Sequence, residues 1–219
     1  MTTPRDLVLL LPGWGTPGTR LVPMSEALSA MGAVARVWSY TPEGAVPELV
    51  DALATTVRAT REMHDPQDRL HLVGHSLGGL VVAATVLRRL DHDVDSVTTI
   101  NTPWRGTWVS YTGTGPLARA LRWGSPALTE LRGELADHLI RPAGPRWLLV
   151  AAAGDLATPA TTSLATGITG GRLTRRVVAA TGHSVSLTSD RLIEAVRAHV
   201  VGQEVPVDDE LQDPAGADR

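Results

Sequence analysis

An α/β fold, built on a mainly parallel sheet with helices on both faces, follows from three features of the 219-residue chain. Short apolar runs of strand length alternate with longer stretches whose apolar residues recur at helical spacing. Several of the runs, such as Asp6 to Leu11, are continuously apolar, as suits strands buried on both faces. Between them, Leu70-His-Leu-Val-Gly-His-Ser-Leu-Gly-Gly79 reads as a strand, a sharp turn and the start of a helix.

The first strand, Asp6 to Leu11, ends in the bend Pro12-Gly13-Trp14-Gly15. Residues 19 to 31 form a helix through Leu21, Met24, Leu28 and Met31, with Pro23 required in its first turn and Gly32 as its stop. Val34 to Tyr40 is a second strand, and residues 46 to 63 are an amphipathic helix carrying Val46, Leu49, Val50, Leu53, Val57 and Met63 on one face. After the strand at Leu70 to Val73, a helix runs from Leu80 to about Leu90, and Val94 to Ile100 is the next strand. The alternation then breaks. Residues 102 to 145, rich in Gly, Pro and Trp, hold helical stretches at Leu117 to Arg122 and Pro126 to Ile140 and are too long for an ordinary connection. They are expected to be a cap-like insertion or an elaborated crossover. Trp147 to Ala152 and Arg175 to Ala179 are strands, followed by the loop Thr181 to Ser184 and a last helix to Val201. Residues 1 to 202 are therefore expected to form one domain, and 203 to 219, acidic with two prolines, a disordered tail.

Composition narrows the partners. The net charge of −3 offers no attraction to nucleic acid or an anionic membrane. With no cysteine, disulfides, thiolate catalysis and cysteine metal sites are excluded. Neither a signal peptide nor a run of the roughly 20 apolar residues that span a bilayer is seen, so a soluble, cytoplasmic protein is expected.

The stretch at 74 to 78 is where chemistry enters. Gly74 and Gly78 flank Ser76 because so tight a turn brings backbone segments together where a Cβ would collide. Ser76 is thus expected at the tip of an elbow beside a helix start, whose free N–H groups favour negative charge. A serine hydroxyl needs an imidazole to take its proton. His183 follows the last strand, and so lies on the sheet edge where Ser76 emerges. His75 is turned away from Ser76 by strand alternation, and His64, His71, His92, His138 and His199 fall on helices, inside a strand or in a surface loop. Asp155 follows the strand Trp147 to Ala152 on the same edge as His183 and is the candidate to orient it, whereas Asp95 sits at the wrong end of a strand and Asp137 in the cap-like segment. Oxyanion donors are expected from the backbone N–H groups of Leu77 and Trp14.

The elbow Gly74-His-Ser-Leu-Gly-Gly79, the loop Leu11-Pro-Gly-Trp14 and the order Ser76, Asp155, His183 resemble those of the α/β-hydrolases. Asn101-Thr-Pro-Trp-Arg-Gly-Thr107 and Gly124-Ser-Pro-Ala-Leu-Thr-Glu-Leu131 are similar to segments of bacterial lipases and esterases. The chain departs from that pattern at Pro12, where many members have the histidine of a His-Gly loop, and at Trp104, which replaces a histidine.

The resemblance implies a lipase or esterase acting without cofactor on a small hydrophobic ester. Trp14, Trp104, Trp108 and Trp123, in loops or the cap-like segment, are the expected apolar walls of the substrate site. Arg105 could meet an anion, although an arginine in such a loop more often ties down carbonyls. A thioesterase or acyltransferase acting on CoA- or carrier-bound acyl groups uses the same three residues and stands as the alternative; a non-catalytic ligand-binding protein on the same fold is the third reading. The run Asp91-His-Asp-Val-Asp95 has the composition of a metal site but lies at the sheet edge away from Ser76, so it is read as a polar loop and no metal is assigned.

Overall fold

The computed structural model describes residues 3–40, 46–90 and 93–206. Six strands form one sheet in the order β2-β1-β3-β4-β5-β6, and every neighbouring pair is parallel. The strands are β1 (Asp6–Leu11), β2 (Val34–Val37), β3 (Arg69–His75), β4 (Ser96–Ile100), β5 (Arg146–Gly154) and β6 (Leu173–Thr181). The helices are α1 (Val22–Ala30), α2 (Val46–Glu62), α3 (Leu77–Arg89), α4 (Gly115–Ala120), α5 (Pro126–Ile140), α6 (Ala160–Ser163) and α7 (Asp190–Val201).

Strand alternation builds two cores. Leu7, Leu9 and Leu11 of β1 and Leu70 and Leu72 of β3 point to one face, where they meet α2, α3 and α5. Val8, Leu10 and Val73 point to the other, where α1 and α7 supply Met24, Leu28, Leu192 and Val196. Burial on both sides is why these strands read as unbroken apolar runs. The edge strands β2 and β6 are only partly buried and carry arginine at 36, 175 and 176.

Several boundaries differ from the pattern expected. β2 stops at Val37, beyond which Trp38 and Tyr40 stack at 5.5 Å and the Tyr40 hydroxyl donates to Pro12 O at 2.8 Å. Pro23 sits in the first turn of α1, where no intrahelical N–H is needed, after a 3-10 turn at Gly18–Leu21. β6 is longer than expected because its ladder with β5 extends to Gly154 and Thr181 through an irregularity between Ala152 and Gly154. Such a bulge bends the strand end, here just before Asp155.

In the 102 to 145 segment, Pro126–Ile140 forms α5 and returns the chain from β4 to β5. Its residues Leu128, Leu131, Leu135 and Leu139 join the core over α3. The polar loop before β4 also has a use. Asp95 Oδ2 accepts from the Leu70 amide at 2.7 Å and from Arg61 Nη2 at 3.1 Å; residues 91 and 92 of that run lie outside the described residues. So do residues 207–219 of the expected tail. Among the described residues no helix is long and apolar enough to cross a membrane.

Candidate active site

Ser76 joins β3 to α3 with φ 53° and ψ −120°, a left-handed backbone that few residues other than glycine adopt. The glycines around it make the turn possible. A Cβ on Gly74 would strike the Gly78 carbonyl, one on Gly78 would lie 2.5 Å from Pro12 O, and one on Gly13 would lie 2.7 Å from the Ser76 Cβ. The elbow is therefore pressed directly against the bend after β1.

Three side chains from separate loops meet there. His183 Nδ1 lies 2.7 Å from Asp155 Oδ2, and its Nε2 lies 2.8 Å from Ser76 Oγ. An ionised carboxylate only accepts, so the proton belongs on Nδ1, and Nε2 is left to accept from the serine hydroxyl. Asp155 is buried and its other contacts are all donors. Oδ1 accepts the amides of Ala157 and Thr158 at 2.9 and 3.1 Å, and Oδ2 accepts the Thr158 hydroxyl at 2.6 Å. Burial alone would raise its pKa; the hydrogen bond and charge of His183, with the donors of Thr158, outweigh it and hold the group below the usual carboxylate value.

The backbone of His183 is clamped as well. Its carbonyl lies 2.9 Å from Asn101 Nδ2, 3.0 Å from His75 Nε2 and 3.1 Å from Ser186 Oγ. Asn101, fully buried with φ 48°, also accepts the Ala152 amide on Oδ1 at 2.8 Å, and its carbonyl takes a 3.0 Å contact from the Thr158 hydroxyl. Asn101 thus ties the ends of β4 and β5 to both the aspartate and histidine loops.

The other sequence candidates divide. The bend holding Trp14 is in place, and neither the Trp14 nor the Leu77 amide has a protein acceptor among the described residues. Trp14, Trp108 and Trp123 are exposed, but the indole of Trp108 donates to Leu156 O at 2.9 Å and so fastens its turn to the Asp155 loop. Trp104 is enclosed rather than open to solvent, yet its ring lines the cleft between the loop after β4, α5 and α6. It has 0% exposure, sits in the core over α3 and points its indole N–H at Thr99 Oγ1. In the Asn101 to Thr107 loop the apolar bulk folded inward.

His75, Asn101 and Thr158 went unassigned from sequence. Asn101 and Thr158 were placed on the correct edge by the strand ends, but no pattern marks which loop side chain will turn back to bind backbone. The His75 ring is fully buried, 4.7 Å from that of His183, with Nδ1 unpartnered. Burial, then the nearby His183 charge, pushes its pKa down to about 3 from 6.5; burial and Arg146 push His199 down to about 4. Both are neutral when folded and gain a proton on unfolding below 6.5, so the unfolded chain binds more protons there and stability falls with falling pH. Urea midpoints are expected to hold above pH ~7 and fall below pH ~6.5, at up to about 1.4 kcal/mol per pH unit for each histidine. His75→Gln should remove about half of that slope, and a flat profile for wild type would contradict the assignment.

A parallel sheet wound on both faces, with a serine elbow after its third strand, defines the α/β-hydrolase fold, and the chain has that fold. Ferulic-acid-bound Est1E from Butyrivibrio proteoclasticus is similar over 91% of this chain and 90% of its own, at 16% identity and a TM-score of 0.66. The esterase domain of a Rhodothermus marinus protein covers 91% and 89%, at 19% identity and 0.61. Phospholipase PlaB from Legionella pneumophila matches 68% of this chain at 14% identity and 0.60; the chain spans only 39% of PlaB. No family model and no curated protein matches the sequence.

Proposed function

We propose that the protein is a serine hydrolase that cleaves a carboxylic ester of a hydrophobic substrate through an acyl-enzyme. The observation that carries this reading is the unbroken relay from Ser76 Oγ through His183 to Asp155, with spans of 2.8 and 2.7 Å. Ser76 Oγ attacks the ester carbon while its proton passes to His183 Nε2. The resulting imidazolium faces the Asp155 carboxylate, which His183 itself and the Thr158 donors keep ionised. The carbonyl oxygen becomes an oxyanion, for which the Trp14 and Leu77 amides are the donors. Collapse of the tetrahedral adduct breaks the bond to the leaving oxygen, which takes the proton from Nε2. Water then repeats the sequence on the acyl-serine and releases the carboxylic acid. The exposed apolar rings of Trp14 and Trp123 support a hydrophobic substrate.

An activated fluorophosphonate is the direct test. It is expected to label Ser76 alone, as located by peptide mass spectrometry, and His183→Ala should slow labelling by about 100-fold or more. Labelling at another residue, or none in folded protein, would refute the proposal.

A further inference from the structure

Beside the relay, at the same sheet edge, lies a cleft of about 480 Å³ between the loop after β4, the start of α5 and α6. Thr158, which touches His183, is followed directly by Pro159, which lines this cleft. Two guanidinium groups enter it, from Arg105 and Arg132, both converging on Thr166: Arg105 Nη1 is 3.3 Å from its hydroxyl and Arg132 Nη2 3.3 Å from its carbonyl. Neither is paired with a carboxylate among the described residues, and no acidic residue lines the cleft. Elsewhere Arg5, Arg61, Arg69, Arg88 and Arg89 sit against aspartate or glutamate, whereas these two share one cleft and one small polar residue. Arg132 Nε is buried with no partner at all. Burial and the charge of Arg105 together lower the Arg132 pKa, the signature of two cations held close without a counter-charge. Thr161 adds a hydroxyl, Thr129 and Thr162 line the cleft with their own hydroxyls donated to Ser125 O and Pro159 O, and Trp104 and Trp123 close it.

We propose that this cleft binds a phosphoryl group carried by the acyl substrate. The inference rests on the serine-hydrolase reading and specifies its substrate class. Two planar forks from separate elements, with a threonine hydroxyl on α6 beside them, offer more donors than the two oxygens of a carboxylate can use, whereas a phosphate presents acceptors in several directions. The phosphate belongs to a glycerophospholipid-like ester or to the leaving group of an acyl-CoA.

Matched substrates separate these sources and test the site. Dihexanoyl phosphatidate is compared with dihexanoylglycerol, and hexanoyl-CoA with hexanoyl-pantetheine, below their aggregation limits. In one pair the phosphorylated member is expected to have a kcat/KM higher by about tenfold or more, chiefly through KM, and the pair that shows it names the source. Arg105→Gln should remove most of that preference and weaken its dependence on salt. Arg105 is exposed and makes a single 3.3 Å bond, so this variant is expected to fold, and Arg36→Gln on β2 is the control that leaves the preference intact. Equal turnover within both pairs, or a preference that survives Arg105→Gln, overturns the proposal. Should no ester or thioester turn over and no fluorophosphonate react, it is the hydrolase reading that fails. Calorimetry with glycerol 3-phosphate then decides the cleft independently. Saturable binding weakened about tenfold or more by Arg105→Gln upholds it, and binding that is absent or unchanged sinks it.

Discussion

Alanine at position 76 is expected to lower kcat for hydrolysis of a short nitrophenyl ester by roughly 10⁴- to 10⁶-fold, while leaving the thermal midpoint within a few degrees of wild type. The proposed mechanism requires the loss because the attacking atom is gone, and in it His183 and Asp155 act only through that atom. The fold tolerates the change because alanine keeps the same Cβ at φ 53°, and the Ser76 amide still donates to Ile100 O at 2.8 Å. What disappears is one hydroxyl and its 2.8 Å bond to the imidazole. Steady-state kinetics and calorimetry on the same preparation check both halves. Activity within tenfold of wild type would mean that another group attacks the ester.

Gly78→Ala is expected to be the most damaging small substitution outside the relay. The new methyl carbon would stand 2.5 Å from Pro12 O and 2.6 Å from Leu11 O, both backbone atoms that cannot rotate away. Either α3 lifts off β1 or the bend at Pro12 to Gly15 is pushed outward, at a cost of about 3 kcal/mol or more. The second route also moves the Trp14 amide, so activity should fall further than folding alone explains. Gly133→Ala is the internal comparison. It lies within α5 with nothing inside 4 Å of the added carbon, and should stabilise by about 0.5 to 1 kcal/mol. Urea denaturation of the two variants tests the contrast, and a Gly78→Ala protein as stable as wild type would contradict it.

The order of the elements was legible because parallel strands buried on both sides must be continuously apolar, and because each crossover helix shows its own period. Ser76, Asp155 and His183 could be drawn to one place for a related reason. In a parallel sheet every strand ends on the same edge, so a residue just past any strand is already a neighbour of residues just past the others. Trp104, with no exposed surface but lining the cleft beside the relay, shows the limit of that argument. Strand ends say which edge a loop occupies, not whether its side chains turn outward to a cleft or inward to the core. Asn101 was quoted within a motif and its role still missed, since the bonds it makes to Ala152 and His183 span 51 and 82 residues of chain. Arg105 could be read from its loop as a group able to meet an anion, but sequence does not show that Arg132 of α5 converges with it on Thr166.

The left-handed backbone at Ser76 and Asn101 has a bearing on how such a site persists. Each conformation costs on the order of 1–3 kcal/mol, which the surrounding sheet must offset. A glycine at either position would relieve that cost and remove the side chain that the relay or its clamp depends on. Drift towards greater stability alone would thus erode the site at two residues where it is exacting, so stability and the proposed chemistry make opposite demands at Ser76 and Asn101.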